Sequence, residues 1–119
     1  MMIKLKRAYE QADKSVGYRI LVDRLWPRGL TKSEAGIDLW LKDIAPSEQL
    51  RKWFSHDAAK WPEFKQRYFA ELSTKEELVR QIAEKAAANA VTFVYAAHDT
   101  RYNNAVALKE YIETTLISR

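Results

Sequence analysis

The chain is 119 residues long, with 47% hydrophobic and 30% charged side chains and no cysteine, which fits one compact domain and leaves no disulfide, thiolate metal site or cysteine nucleophile. Its formal charge of +4 comes from 20 Lys and Arg against 16 Asp and Glu, and the excess lies wholly in residues 1–60, which carry 12 basic and 8 acidic side chains. The opening Met-Met-Ile-Lys-Leu-Lys-Arg has no apolar core and the longest mostly apolar stretch, Ala86 to Ala97, is too short to cross a bilayer, so we expect a cytoplasmic protein with no signal peptide and no membrane partner.

Ile3 and Leu5 alternate with Lys4 and Lys6, the pattern of a short strand with one wet face. Polar residues from Glu10 to Gly17 predict a turn. Tyr18 to Asp23 is β-branched and aromatic at its centre and runs into Pro27-Arg28-Gly29, so a strand ends between Asp23 and Trp26. Ile37 to Ala45 reads equally as a short strand or an extended loop. Pro46-Ser47-Glu48 has the form of an N-cap with an acidic first turn, predicting a helix over Glu48 to Ser55. Trp61, Phe64, Tyr68 and Leu72 recur at helical spacing and predict a second helix from about Pro62 to Leu72. Thr74 and Glu77 stand in capping-box spacing ahead of a third helix that ends near Asn89. Val91 to Ala97 is a nearly continuous apolar run of strand length, as expected of a central parallel strand covered on both faces. A last helix, about Asn104 to Ile117, buries Ala105, Leu108, Ile112 and Leu116. Strands separated by helical crossovers give the expected class: α/β, a single small domain with a mainly parallel sheet flanked by helices.

In open α/β sheets ligands sit beyond the carboxyl ends of the strands, which directs attention to the segments after Val22 and after Ala97. The first supplies Asp23, Arg24, Trp26, Arg28 and Lys32; the second supplies His98, Asp99, Thr100, Arg101, Tyr102, Asn103 and Asn104. If the two strands are neighbours, these groups converge on one crevice suited to an anion, because Arg offers a planar fork of donors and a helix N-terminus offers free N–H groups. His98 and Asp23 are the candidate catalytic residues, His98 as general acid or base and Asp23 orienting an arginine. Arg24 and Arg28 are the candidate anion clamps, Trp26 is a candidate ligand platform, and Asp99, Asn103 and Asn104 complete the ligand-binding set. The expected partner is an anionic, phosphate-bearing small molecule. The alternative is nucleic acid, contacted through Lys4, Lys6, Arg7, Arg19, Arg24, Arg28 and Lys32 in the basic half. His56 is read only as a cap for the short helix.

Two histidines with no cysteine and no His-x-x-x-His spacing do not make the usual zinc sites, so no metal is expected. Dinucleotide-binding, P-loop and nucleophile-elbow motifs are all missing from the sequence, so no cofactor is expected and whether the domain is an enzyme stays open.

These residues also carry a resemblance. Gly17-Tyr18-Arg19-Ile20-Leu21-Val22-Asp23-Arg24-Leu25-Trp26-Pro27-Arg28-Gly29, the stretch Ala45-Pro46-Ser47 through Leu50-Arg51, Trp53-Phe54 and His56-Asp57 with Trp61 and Phe64, and Tyr95-Ala96-Ala97 with Asp99, Asn104-Ala105, Leu108 and Tyr111 together resemble the YeaO-like branch of the family called domain of unknown function 488. The family often has proline where this chain has Ala58. The resemblance implies a small, mostly bacterial, cytosolic α/β protein without an established activity. Some relatives carry a transcriptional-regulator label of the multiple-antibiotic-resistance type, yet no helix of this chain has the exposed basic and amide residues of a winged-helix reader.

Overall fold

The computed structural model describes residues 3–10 and 17–117. Four strands, β1 (Ile3–Arg7), β2 (Tyr18–Leu21), β3 (Leu39–Trp40) and β4 (Val91–Tyr95), form one sheet in the order β1-β4-β2-β3. All three pairings are parallel, with Leu5 and Ile20 both opposite Phe93 and Ile20 opposite Leu39. The two strands whose ends would converge on one crevice if they were neighbours, β2 and β4, do pair, and the expected α/β class is the observed one.

Five α-helices are described: α1 (Lys32–Ala35), α2 (Glu48–Phe54), α3 (Trp61–Leu72), α4 (Glu76–Ala88) and α5 (Asn104–Ile112). The chain from β3 to β4 steps over β2, and the helices α2, α3 and α4 make that crossover. Because side chains alternate across a strand, the sheet has two distinct faces. Ile20, Val22, Val91, Phe93 and Tyr95 point toward α2–α5 and pack with Phe64, Tyr68, Leu72, Ile82, Leu108 and Ile112. Leu21 and Val94 point the other way into a smaller cluster closed by Ala8, Trp26, Leu30 and Ile37. Val91, Phe93 and Val94 are fully buried, which is why β4 carries no polar alternation except Thr92.

Some local expectations are corrected. The helix after Thr74 starts at Glu76 without a side-chain cap, because the Thr74 hydroxyl donates instead to the Glu71 carbonyl at the end of α3. The short α1 was not expected; it is held by Thr31 and Glu34, whose side chains and backbone N–H groups bond reciprocally. The last α-helix ends at Ile112 and continues as a π-helical turn, Glu113–Ile117. The expected burial of Leu116 and most of the expected turn between Glu10 and Gly17 lie outside the described residues. Ser47 caps α2 as expected, accepting from Leu50 N at 3.1 Å.

Arg19 is also corrected. It is only 4% exposed, its Nη2 donates to the Ala35 carbonyl at 2.8 Å and its Nε to the Gly36 carbonyl at 3.0 Å. It satisfies the carbonyl end of α1 from within the sheet and is not placed to contact phosphates. Burial lowers its pKa, partly offset by Asp38.

Candidate functional site

The carboxyl ends of β2 and β4 open into a cleft of about 640 Å³. Its floor is made where the two strands leave the sheet. The Asp23 carboxylate accepts from Ala96 N through Oδ2 at 2.9 Å and from Asn104 Nδ2 through Oδ1 at 3.0 Å, while the same Asn104 amide donates to the Val22 carbonyl at 3.1 Å. Asp23 thus ties the end of β2 to the end of β4 and to the first turn of α5. Burial raises its pKa above the usual carboxylate range, and the bonds from Asn104 and Ala96 pull in the opposite sense.

The loop after β2 is pinned at several points. Trp40 Nε1 donates to the Asp23 carbonyl at 2.8 Å, Trp26 Nε1 to the Leu30 carbonyl at 2.7 Å, and the Tyr9 hydroxyl to the Arg28 carbonyl at 3.0 Å. Trp26 packs edge-on against Trp40, with centroids 5.5 Å apart. The backbone that presents Arg24, Leu25, Trp26, Pro27 and Arg28 to the cleft is therefore fixed before any ligand arrives, the condition for binding without an ordering cost.

The segment after β4 is shaped by Asp99 and Asn103. Asp99 Oδ1 accepts from Arg101 N at 2.8 Å and Tyr102 N at 3.0 Å, bonds that lower its pKa. Asn103 is buried; its Oδ1 accepts from Val106 N at 3.0 Å and its Nδ2 donates to the Asp99 carbonyl at 2.8 Å. Its side chain is the N-cap of α5. His98 is exposed, and its Nδ1 lies 3.4 Å from Arg7 Nη2. A guanidinium can only donate, so this contact needs an imidazole that accepts at Nδ1 and carries its proton on Nε2. Arg7 Nε also donates to the Ala97 carbonyl at 2.9 Å.

All eight residues singled out from sequence, Asp23, Arg24, Trp26, Arg28, His98, Asp99, Asn103 and Asn104, line this one cleft. Lys32 and Arg101 do not. Sequence reasoning missed Arg51, Phe54, Phe64 and His56, which close the cleft from α2, α3 and the turn after α2, because nothing local says where α2 docks. The signal available was the stretch from Leu50 to Asp57 with its embedded aromatic pair. Phe54 stacks on Phe64 at 4.4 Å and lies 6.4 Å from the His56 ring, and Tyr102 packs on Trp61 at 5.5 Å. Ser55 and His56 both have positive φ, 45° and 57°, a conformation rare for residues with a Cβ, which turns the chain sharply and sets His56 on the cleft's lip.

The charge balance of the cleft is uneven. Arg24, Arg28 and Arg51 face it, and its two carboxylates, Asp23 and Asp99, are already accepting backbone or amide N–H groups. Among the described residues none of the three arginines is in an ion pair, whereas Lys52, Lys65, Arg67 and Arg80 on the helix surfaces are paired with Glu48, Glu110, Glu63 and Glu77. Arg24 reaches only the Ala45 carbonyl, at 3.5 Å, and its buried Nε has no partner. No group of three or more His, Asp or Glu among the described residues is placed to hold a metal, and no helix among them is long and apolar enough to cross a membrane.

Residues 2–119 match the family model described as the inactive DUF488-N3 subclade. The chain is similar to the uncharacterized protein YeaO of Escherichia coli (strain K12), 40% identical over 114 residues that cover 96% of this chain and 99% of that one. It is also similar to an uncharacterized protein of Mycobacterium tuberculosis (strain ATCC 25618 / H37Rv), 34% identical over 110 residues and 92% of each chain. No solved structure matches it.

Proposed function

Since the chain belongs to the DUF488-N3 family, in the subclade described as inactive, we propose that the cleft binds an anionic, phosphate-bearing small molecule and does not transform it. The observation that carries this reading is the unpaired arginine set. A buried N–H that nothing accepts from is costly, and Arg24, half-buried at the wall of an open cleft, carries one at its Nε. Arg28, on a backbone pinned by Tyr9, and Arg51, on α2, add two further forks that match a phosphate or carboxylate.

The binding-only part rests on the same geometry. Both oxygens of Asp23 are engaged by N–H donors, so Asp23 acts here as a positioning residue that joins the two strand ends. His98 lines the cleft with its Nδ1 side turned to Arg7, and an imidazole there can donate to an anion.

Thermal unfolding in phosphate against chloride at constant ionic strength tests the proposal, because a ligand that binds the native state raises Tm. Phosphate is expected to raise Tm in the unaltered protein and to lose most of that effect in Arg24→Gln. Arg28→Lys, at an exposed position, is expected to keep its ligand-free stability within about 0.5 kcal/mol while its response to phosphate shrinks, since an ammonium cannot reproduce the bidentate fork. A response in either variant equal to that of the unaltered protein, or no response beyond chloride, overturns the reading. Hydrolysis of p-nitrophenyl phosphate that is lost in Asp23→Asn or His98→Gln would overturn its binding-only part.

A further inference from the structure

We propose that the ligand of this cleft is a phosphomonoester joined to a flat ring system, of the size of a mononucleotide; the proposal rests on the anion-binding reading above and adds the ring to it. A cleft of about 640 Å³ is far larger than an inorganic anion fills and falls inside the range of pockets that enclose small organic ligands, roughly 300–1,000 Å³. Its arginines Arg24, Arg28 and Arg51 carry no ion pair among the described residues, its carboxylates Asp23 and Asp99 already accept N–H groups, and most of its apolar lining is aromatic or prolyl.

The aromatic residues stand on two sides. Trp26 and Pro27 belong to the loop that packs on the sheet face turned away from α2–α5, since Trp26 closes the cluster of Leu21 and Val94. Phe54, His56 and Tyr102 stand on the helix side, where Phe54 and Tyr102 are tied into the ring cluster through Phe64 and Trp61. The end of the sheet, with Asp23, Ala96 and Ala97, lies between them. A flat ring entering edge-first is therefore flanked on one side by Trp26 and Pro27 and on the other by His56 and Tyr102, with its phosphate directed to Arg24 and Arg28. Stacking of this kind is tolerant of ring identity, because every base presents a π-face. Leu25, 64% exposed beside Arg24, extends the apolar wall outward, a placement that favours an organic ligand over a hydrated ion.

Calorimetric titration of the full chain with AMP, ribose 5-phosphate and adenosine separates the parts. AMP is expected to bind at least tenfold more tightly than ribose 5-phosphate, and adenosine to bind more weakly than either. His56→Ala, at an exposed position, is expected to reduce the AMP preference at least threefold and to leave ribose 5-phosphate within twofold of its original affinity. Tyr102→Leu is expected to do the same from the neighbouring turn. Ribose 5-phosphate binding as tightly as AMP would overturn the ring and leave the anion reading standing. Adenosine binding as tightly as AMP would overturn the phosphomonoester, and no binding by any of the three would overturn both. An AMP preference that survives undiminished in His56→Ala and in Tyr102→Leu would overturn the proposed stacking wall.

Discussion

Gly17→Ala is expected to destabilise the fold by about 3 kcal/mol or more, the sum of left-handed strain of roughly 1–2 kcal/mol and a steric clash of similar size. Gly17 has φ 75°, and a Cβ added there would stand 2.3 Å from the Ala90 carbonyl oxygen and 2.9 Å from its carbon. Those are backbone atoms and cannot rotate away. The same carbonyl accepts from Tyr18 N at 2.9 Å, so relieving the clash requires β2 to slide along β4 at the pairing that holds the middle of the sheet. For a domain of this size Tm should fall by roughly 10 °C. Gly29→Ala is the internal control: its φ is also positive, 85°, but a Cβ there meets nothing within 4 Å, so it should incur the strain alone. Thermal or urea unfolding of both variants measures the difference, and equal losses would show that the Ala90 contact relaxes freely.

How much of this architecture could be read from the residues depended on whether the signal was local. The apolar run of β4 needs cover on both faces wherever it lies, and it became the central strand. Ser47 could be recognised as a cap because it is followed by Glu48 and a helical pattern. Thr74 carried the same signature and failed, because a hydroxyl at the junction of two helices can serve either one, and here it serves the end of α3. The short α1 escaped notice although Thr31 and Glu34 stand in capping-box spacing and Gly36 follows as its left-handed C-cap. Four residues with one buried alanine present no periodicity, and Arg19, which supports its carbonyl end, is distant in sequence.

The site divided in the same way. The strand-end loops were legible because parallel α/β topology places ligands at carboxyl ends whatever the sequence of the loop, and that argument found Asp23, Arg24, Arg28 and His98 together. Their employment was not legible. Asp23 and Asn104 bond each other across 81 positions of sequence, and Arg7 reaches His98 across 91. Nor was the far wall, since α2 is brought over the cleft by contacts such as Ser47 N and Oγ donating to the Glu71 carboxylate at 2.8 and 2.6 Å and the Tyr68 hydroxyl donating to the Ile44 carbonyl at 2.7 Å. Tyr68 is fully buried, and burial raises its pKa well above the usual phenol range, so this contact is made by a neutral hydroxyl.

The second large effect is expected at Asp23→Asn, which should lower stability by about 2 kcal/mol at neutral pH, with the loss growing toward pH 4. A carboxylate presents acceptors on both oxygens, and Ala96 N and Asn104 Nδ2 use them both. An amide presents one acceptor and one NH₂, so one of the two donors must face another donor; leaving it unsatisfied costs about 1–3 kcal/mol, and the lost charge-assisted bond adds to that. Removing the charge relieves some burial cost, which reduces the total. The same relief fixes the sign of the pH dependence. Burial holds the folded Asp23 pKa above its unfolded value near 3.9, so over the interval between the two values the native state binds more protons than the unfolded chain. The stabilising share of this group is complete below the unfolded pKa and is lost as pH rises through the folded one. The amide does not titrate, so the difference between the two proteins should be largest at the acid end of that interval. Urea unfolding of both proteins at pH 4.0, 5.5 and 7.0 reads this directly. Asn104→Ala, which removes one donor and leaves Asp23 its bond to Ala96, should cost less than Asp23→Asn, and the double variant should fall short of the sum because the two side chains share one bond. A difference that grows with pH, or strict additivity in the double variant, would refute the assignment of Asp23 as the clasp between the two strand ends.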